Sequence, residues 1–369
     1  MFKTRHIILG SLLAAALALA VTAPALATGF NDIDSSPYKA SINALAYRGY
    51  IGGFDGGSFQ PDSQVTRQQF AKMIVKTLDL TVTGAETCPF GDVSTAPTGT
   101  DAFYPAKYVA VCAAQNITKG TDASHFSPGL NIKRAQIISM VVRAADNLAA
   151  GTLQTPDAAW TGALPSSAYA DATHGANIRK AEFNGLLAGI PDLAAWNTTA
   201  YATRGETAEI LAQLFYRTGK ILTLTGPSGT QEFTLSQLKA LASLQGYGGW
   251  LNIVNNVTGP KLYKGLAIAT LVNLAGGGTT VTATASDHYA ANYTASDVAG
   301  HPEKIFDPTT KTQIGAYPGS LTMILAYEAN GKPLSSSEGV LRIGFVSAGA
   351  DQVTDSKLWA SQVAKIEVH

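Results

Sequence analysis

Only two cysteines occur in the 369-residue chain, Cys88 and Cys112, and none lies between residues 220 and 369. A thiolate metal centre in that last stretch is therefore excluded. Charge is scarce as well: Asp, Glu, Lys and Arg make up 14% of the chain, 26 basic against 26 acidic. With no basic excess there is no footprint for nucleic acid. Beyond Val21 no apolar run approaches the roughly 20 residues that a bilayer-spanning helix needs. His125, His174 and His301 stand apart from cysteines and acidic clusters, so neither a metal nor a cofactor is expected. Ser286, Asp287 and His288 are chain neighbours and as such do not converge into a nucleophilic triad, so a solvated loop or strand end is the reading.

Residues 1–27 carry Lys3 and Arg5, an apolar run from Ile7 to Val21, and Ala25-Leu26-Ala27. This is the order of a secretory signal peptide, and the run is short for a transmembrane anchor. Cleavage before Thr28 leaves 24 basic and 26 acidic side chains, because Lys3 and Arg5 depart. The weakly charged mature chain, about 340 residues, is long enough for two or more domains. In an exported protein Cys88 and Cys112 are expected to form a disulfide contributing roughly 3 kcal/mol, the alternative being two unpaired structural thiols.

A pattern recurs three times. Phe30-Asn31-Asp32-Ile33, Phe90-Gly91-Asp92-Val93 and Tyr169-Ala170-Asp171-Ala172 each precede a helix-length stretch and then a basic helix start. Those starts are Thr66-Arg67-Gln68-Gln69, Lys133-Arg134-Ala135-Gln136 and Thr203-Arg204-Gly205-Glu206, with arginines 67 and then 70 residues apart. A fixed period of this kind marks a repeat architecture. Each copy reads as two helices around a glycine-rich loop. Ile42, Leu45 and Ala46 share a face that Arg48-Gly49 closes, and Phe70, Met73, Ile74 and Leu78 form a stripe after a capping box of Thr66 and Gln69. Lys133 replaces the capping threonine in copy two, so Asn131 is the expected substitute. Copy three keeps Thr203 and Glu206 but has Trp196-Asn197-Thr198-Thr199 where the others have Phe59-Gln60-Pro61 and Phe126-Ser127-Pro128.

Residues 28–219 resemble the S-layer homology domain, which occurs in triplets. The resemblance implies an all-α trimer of repeats about a pseudo-threefold axis, with copies at 28–87, 88–151 and 152–219. It also implies a partner, an anionic, in some members pyruvylated, secondary cell-wall polysaccharide, and places its contacts at Arg67, Arg134 and Arg204, with Asp32, Asp92 and Asp171 in the turns. Electrostatics bears on the arginines independently, since a cation in the first turn of a helix opposes the macrodipole by several tenths of a kcal/mol. Anion capture, aided by exposed helix amides, is one reason to place arginine there. An intramolecular salt bridge, for example to the turn aspartates, is the other. The aspartates also suit the bracing of turns.

From residue 220 to 369 short β-branched runs alternate with turns, predicting an α+β domain. Strands are expected at Ile221 to Thr225, Trp250 to Val257, Thr279 to Ala285, Leu321 to Glu328 and Val340 to Val346, with a hairpin at Asn330-Gly331 and a short helix over Leu266 to Leu274. Trp250, Tyr247, Tyr263 and Tyr289 are either an aromatic binding face or core. Phe233 to Leu241, Tyr263 to Leu266, Val281 to Asp287, Leu325 to Leu334 and Val363 to Val368 resemble, in order, the sulfite-oxidase-like molybdopterin-binding fold. Its metal-binding cysteine aligns with Ile253-Val254-Asn255-Asn256, and isoleucine cannot ligate molybdenum. The sequence thus reads as an exported, multidomain, non-enzymatic protein anchored to the wall and displaying residues 220–369. A molybdopterin-dependent oxidoreductase and a self-assembling, self-associating layer subunit stand as alternatives.

Overall fold

A computed structural model describes residues 29–369 except 158, 316, 336 and 337. The expected leader at 1–27 lies outside the described residues. The first copy contains α1 (Lys39–Tyr47) and α2 (Arg67–Thr77), the second α3 (Ala106–Ala114) and α4 (Arg134–Leu148). The third has a one-turn helix, α5 (Ser166–Tyr169), followed by α6 (Gly175–Phe183) and α7 (Arg204–Thr218).

Local chemistry sets the starts. Thr66 Oγ1 accepts the Gln69 amide at 3.4 Å while Gln69 Oε1 accepts that of Thr66 at 2.9 Å. Thr203 and Glu206 make the same reciprocal pair. At α4 only the second half exists, Gln136 Oε1 accepting the Lys133 amide at 3.0 Å. Asn131 does not supply the missing cap, because the first three amides of α4 are already taken by Ala200 O, Thr198 O and Lys133 O, while the Asn131 side-chain nitrogen donates to Gln64 Oε1. Phe70, Ile74, Ile137, Ile138, Ile210 and Leu211 are then fully buried at helical spacing, the apolar stripe that stabilises such helices.

Packing between copies is cyclic: α2 lies on α3, α4 on α6, and α7 returns to α1. At the centre three extended residues bond in a closed ring. The Val65 amide donates to Ala202 O at 3.2 Å, the Ala202 amide to Ile132 O at 2.9 Å, and the Ile132 amide to Val65 O at 2.9 Å. All three side chains are fully buried.

The remainder is rich in sheet. β1 (Lys220–Gly226), β2 (Gly229–Thr234), β5 (Val281–Ala285), β6 (Ala290–Tyr293) and β12 (Val363–Val368) form one sheet in the order β2-β1-β12-β5-β6, with β12 parallel to β1. A second runs β10-β8-β4-β3-β11-β7, from β3 (Leu244–Leu251), β4 (Val257–Ala267), β7 (Ile305–Phe306), β8 (Thr322–Ala329), β10 (Arg342–Val346) and β11 (Val353–Asp355), with β9 (Lys332–Pro333) paired to β8. Helices α8 (Leu235–Ala240), α9 (Ile268–Leu274) and α10 (Ala295–Val298) complete it. The core is continuous with that of the repeats.

Two expectations need correction here. The single strand expected at 250–257 is instead broken at 252–256 by a hairpin tip, where Asn252 Oδ1 accepts the Val254 and Asn256 amides at 3.2 and 2.8 Å and closes a turn between β3 and β4. The expected disulfide is absent. Both cysteines are free, the Cys112 thiol buried against Ala71 O at 3.7 Å and the half-buried Cys88 thiol beside Phe90 O at 3.8 Å. Burial pushes both thiols up from their ordinary value, which suppresses the thiolate needed for exchange. Thiol titration of the exported chain is expected to count two free thiols in denaturant, with Cys112 unreactive in the native state; a count of zero would establish the bridge.

Candidate functional site: the junctions between repeats

The predicted arginines sit where one repeat meets the next. Each turns its guanidinium onto an aromatic ring of the neighbouring copy's loop: Arg67 onto Phe126 at 4.7 Å, Arg134 onto Trp196 at 4.8 Å, and Arg204 onto Phe59 at 4.5 Å and Phe54 at 4.7 Å. Arg67 and Arg204 are 4% and 7% exposed. Burial lowers both guanidinium values, opposed by the charges of Asp92 and Asp32 respectively.

The aspartates act one step behind. Asp32 accepts the Phe59 and Gln60 amides at 2.8 and 2.7 Å, and Asp92 those of Phe126 and Ser127 at 2.8 and 2.7 Å. Gln60 and Ser127 have φ of 58° and 57°, a left-handed conformation uncommon for non-glycine residues, and the two carboxylate bonds hold it. The loop carbonyls then face the arginines: Arg204 Nε donates to Phe59 O at 2.8 Å and Arg67 Nε to Phe126 O at 2.6 Å. Glycine is required nearby, since a Cβ on Gly53 would lie 2.6 Å from the Phe30 ring and one on Gly120 equally close to that of Phe90. The aromatic and the aspartate of each turn thus clamp one loop from two sides.

Copy three departs from this scheme. Asp171 binds only its own turn, accepting the Thr173 and His174 amides at 2.8 and 2.7 Å. Arg134 instead makes a two-pronged ion pair with Glu206, Nε to Oε2 at 3.0 Å and a second nitrogen to Oε1. The intramolecular salt bridge considered for the arginines therefore exists once, with Glu206 rather than a turn aspartate.

Exposed helix amides do not occur at these starts. The first two amides of each helix are bonded by carbonyls of the next copy: Arg67 and Gln68 by Leu130 and Pro128, Arg134 and Ala135 by Ala200 and Thr198, Arg204 and Gly205 by Ser63 and Pro61. Any anion must be met by side chains. Arg204 borders an open cleft of about 450 Å³ with Gly52, Gln69, Lys72, Lys76 and Tyr104. Lys72 pairs with Asp101 at 2.7 Å, whereas the Lys76 side chain makes no hydrogen bond or ion pair among the described residues. A cation edge, amide groups and a tyrosine face suit an acidic sugar. Sequence reasoning missed Lys72, Lys76 and Tyr104, which carry no signal until the copies are folded against each other.

Residues 29–71 and 98–138 match the model of the S-layer homology domain. The chain is 31% identical over 147 residues to a "Surface layer protein" of Brevibacillus choshinensis, 38% of this chain and 13% of the relative. It is 30% identical over 145 residues to "S-layer protein EA1" of Bacillus anthracis, 38% and 16%. It is 27% identical over 118 residues to a "Cellulosome-anchoring protein" of Acetivibrio thermocellus, 32% and 26%. Its match thus spans about a quarter or less of these relatives. A likeness to the sulfane dehydrogenase SoxCD from Paracoccus pantotrophus, at 14% identity and a TM-score of 0.29 over 42% of this chain and 41% of that one, assigns no fold to residues 220–369.

The other chemical candidates resolve structurally. The position aligned with a molybdenum thiolate, Ile253, is 89% exposed on the hairpin tip, so the residues present do not fit that metal. Tyr263 and Trp250 are packed 5.2 Å from the Trp359 ring, with Arg342 over Trp250 at 4.4 Å, while Tyr247 and Tyr289 are exposed. His288 packs against Tyr47 of α1, ring centroids 4.9 Å apart and tilted by 48°. Among the described residues no group of three His, Cys, Asp or Glu side chains is placed to hold a metal ion, and no helix is long and apolar enough to cross a membrane.

Burial works against ionisation of Asp32, yet the amide bonds from Phe59 and Gln60 and the Arg204 charge outweigh it and hold the carboxyl below its ordinary value. Asp92 is lowered in the same way by Phe126, Ser127 and His125. A depressed folded value means the stabilisation is full above the unfolded value of about 4 and is lost as pH falls through the folded one. Melting temperature is expected to drop below about pH 4, and D32A to cost on the order of 1–2 kcal/mol at neutral pH. A D32A melt as stable as wild type would remove the aspartate from the latch.

Proposed function

We propose that the protein is an exported cell-surface protein held non-covalently on anionic cell-wall polysaccharide by the repeats at 28–87, 88–151 and 152–219. Residues 220–369 are the displayed module, non-enzymatic and of sulfite-oxidase-like fold without the metal. The observation that carries the reading is the cleft beside Arg204, open, edged by an unpaired Lys76 and formed by all three copies. The matched S-layer homology segments and relatives named for surface layers and anchoring support the wall and cell-surface location. Pyruvate ketals on the polymer would supply the carboxylate that the arginines address, with the turn aspartates shaping the loops around it. A second reading, a subunit that assembles into a layer, is favoured by those same surface-layer relatives.

Sedimentation with sacculi that retain their secondary polymer tests anchoring. The mature chain is expected to co-sediment, with binding weakened by salt because exposed charges are screened. R204A removes both a ligand contact and a loop bond, so K76A is the cleaner variant. A three- to tenfold affinity loss is expected for K76A, about 0.7–1.4 kcal/mol, with an unchanged melting temperature. Wild-type chain left in the supernatant would overturn the proposal.

A further inference from the structure

The three junctions share one plan but differ in what faces the guanidinium. The third residue after each cap is Gln69, Gln136 or Glu206, and each reaches back to its own cap amide at 2.9, 3.0 and 3.0 Å. Gln69 shares the open cleft with Arg204. Arg204 donates through Nε to Phe59 O and through one terminal nitrogen to Gly52 O, leaving its other terminal nitrogen without a hydrogen bond. Arg67 donates only through Nε, to Phe126 O. Both arginines are more than nine-tenths buried, yet neither guanidinium touches a carboxylate. Arg134 is engaged at all three nitrogens: two go to Glu206 and the third to Asn197 O at 3.0 Å.

Glu206 carries more than a cap requires. It is 4% exposed and accepts four bonds, from the Thr203 amide, two Arg134 nitrogens and Trp196 Nε1 at 2.8 Å. A two-pronged carboxylate is the partner that guanidinium selects by shape. Here the chain supplies that carboxylate itself.

We infer that Glu206 is an internal occupant of the third anion seat, holding Arg134 in the geometry that a carboxylate-bearing sugar takes at the other junctions and keeping that junction closed to the polymer. The inference rests on the anchoring reading and adds which junctions take ligand and what excludes it from one. Glutamine preserves the cap, as the first two copies demonstrate, while removing the charge.

Isothermal titration of the mature chain with a soluble, carboxylate-bearing oligosaccharide of the wall polymer decides it. E206Q is expected to gain one binding equivalent per chain over wild type, and E206Q combined with R134A to lose that gain. The converse variant, Q69E, installs a carboxylate in the Arg204 cleft and is expected to lose one equivalent at unchanged melting temperature. Should E206Q fold poorly, Q69E still decides. Unaltered stoichiometry in either variant, with wild-type binding intact, would overturn the occupant role while leaving anchoring standing. A wild-type chain that binds no oligosaccharide would overturn both.

Discussion

The N-terminal half of the molecule hangs on three backbone hydrogen bonds. Val65, Ile132 and Ala202 each donate to one neighbour and accept from the other, so no copy can satisfy its own central strand residue alone. An unpaired buried amide or carbonyl costs roughly 1–3 kcal/mol, which makes the ring an all-or-none arrangement. From it the rest follows in order. The ring fixes the helix starts on either side, the starts place the first-turn amides against the next copy's carbonyls, and the arginines land on the next copy's aromatic loop.

This closure explains why a cation is tolerated at a helix start three times. The unfavourable macrodipole is offset by carbonyl oxygens and ring faces that converge on the guanidinium from the following copy. Internal bracing and, under the anchoring proposal, ligand capture then draw on the same side chain. At the Arg204 junction a bonded face looks inward and an unspent nitrogen remains beside an open cleft. At Arg134 every guanidinium nitrogen is engaged inward.

What the residues disclosed before folding was mostly local. The capping boxes at Thr66 and Thr203, the hairpin at Asn330-Gly331 and the strand near Ile221 rest on interactions within a few positions, and the apolar stripe at Phe70 and Ile74 and the strand near Leu321 on residue patterns within the element itself. Asn131 as a cap, the strand at 250–257 and the disulfide failed because a partner distant in sequence, or a competing turn bond, decided the outcome. The arginines were legible as a set, yet not their separate fates. The difference between Arg134 and its counterparts lies in Glu206, 72 residues away, and in a Trp-for-Phe exchange whose meaning appears only across a junction.

A single residue, Gly219, separates α7 from β1. Arg48 of the first copy donates to Ile221 O at 2.7 Å, and the Tyr47 ring packs against that of His288, so the joint is clamped on a second side. Shear on the sheet-rich part would therefore reach the ring of repeats as torque through this short joint, and any turn of the repeats about their common centre would carry that part round with it.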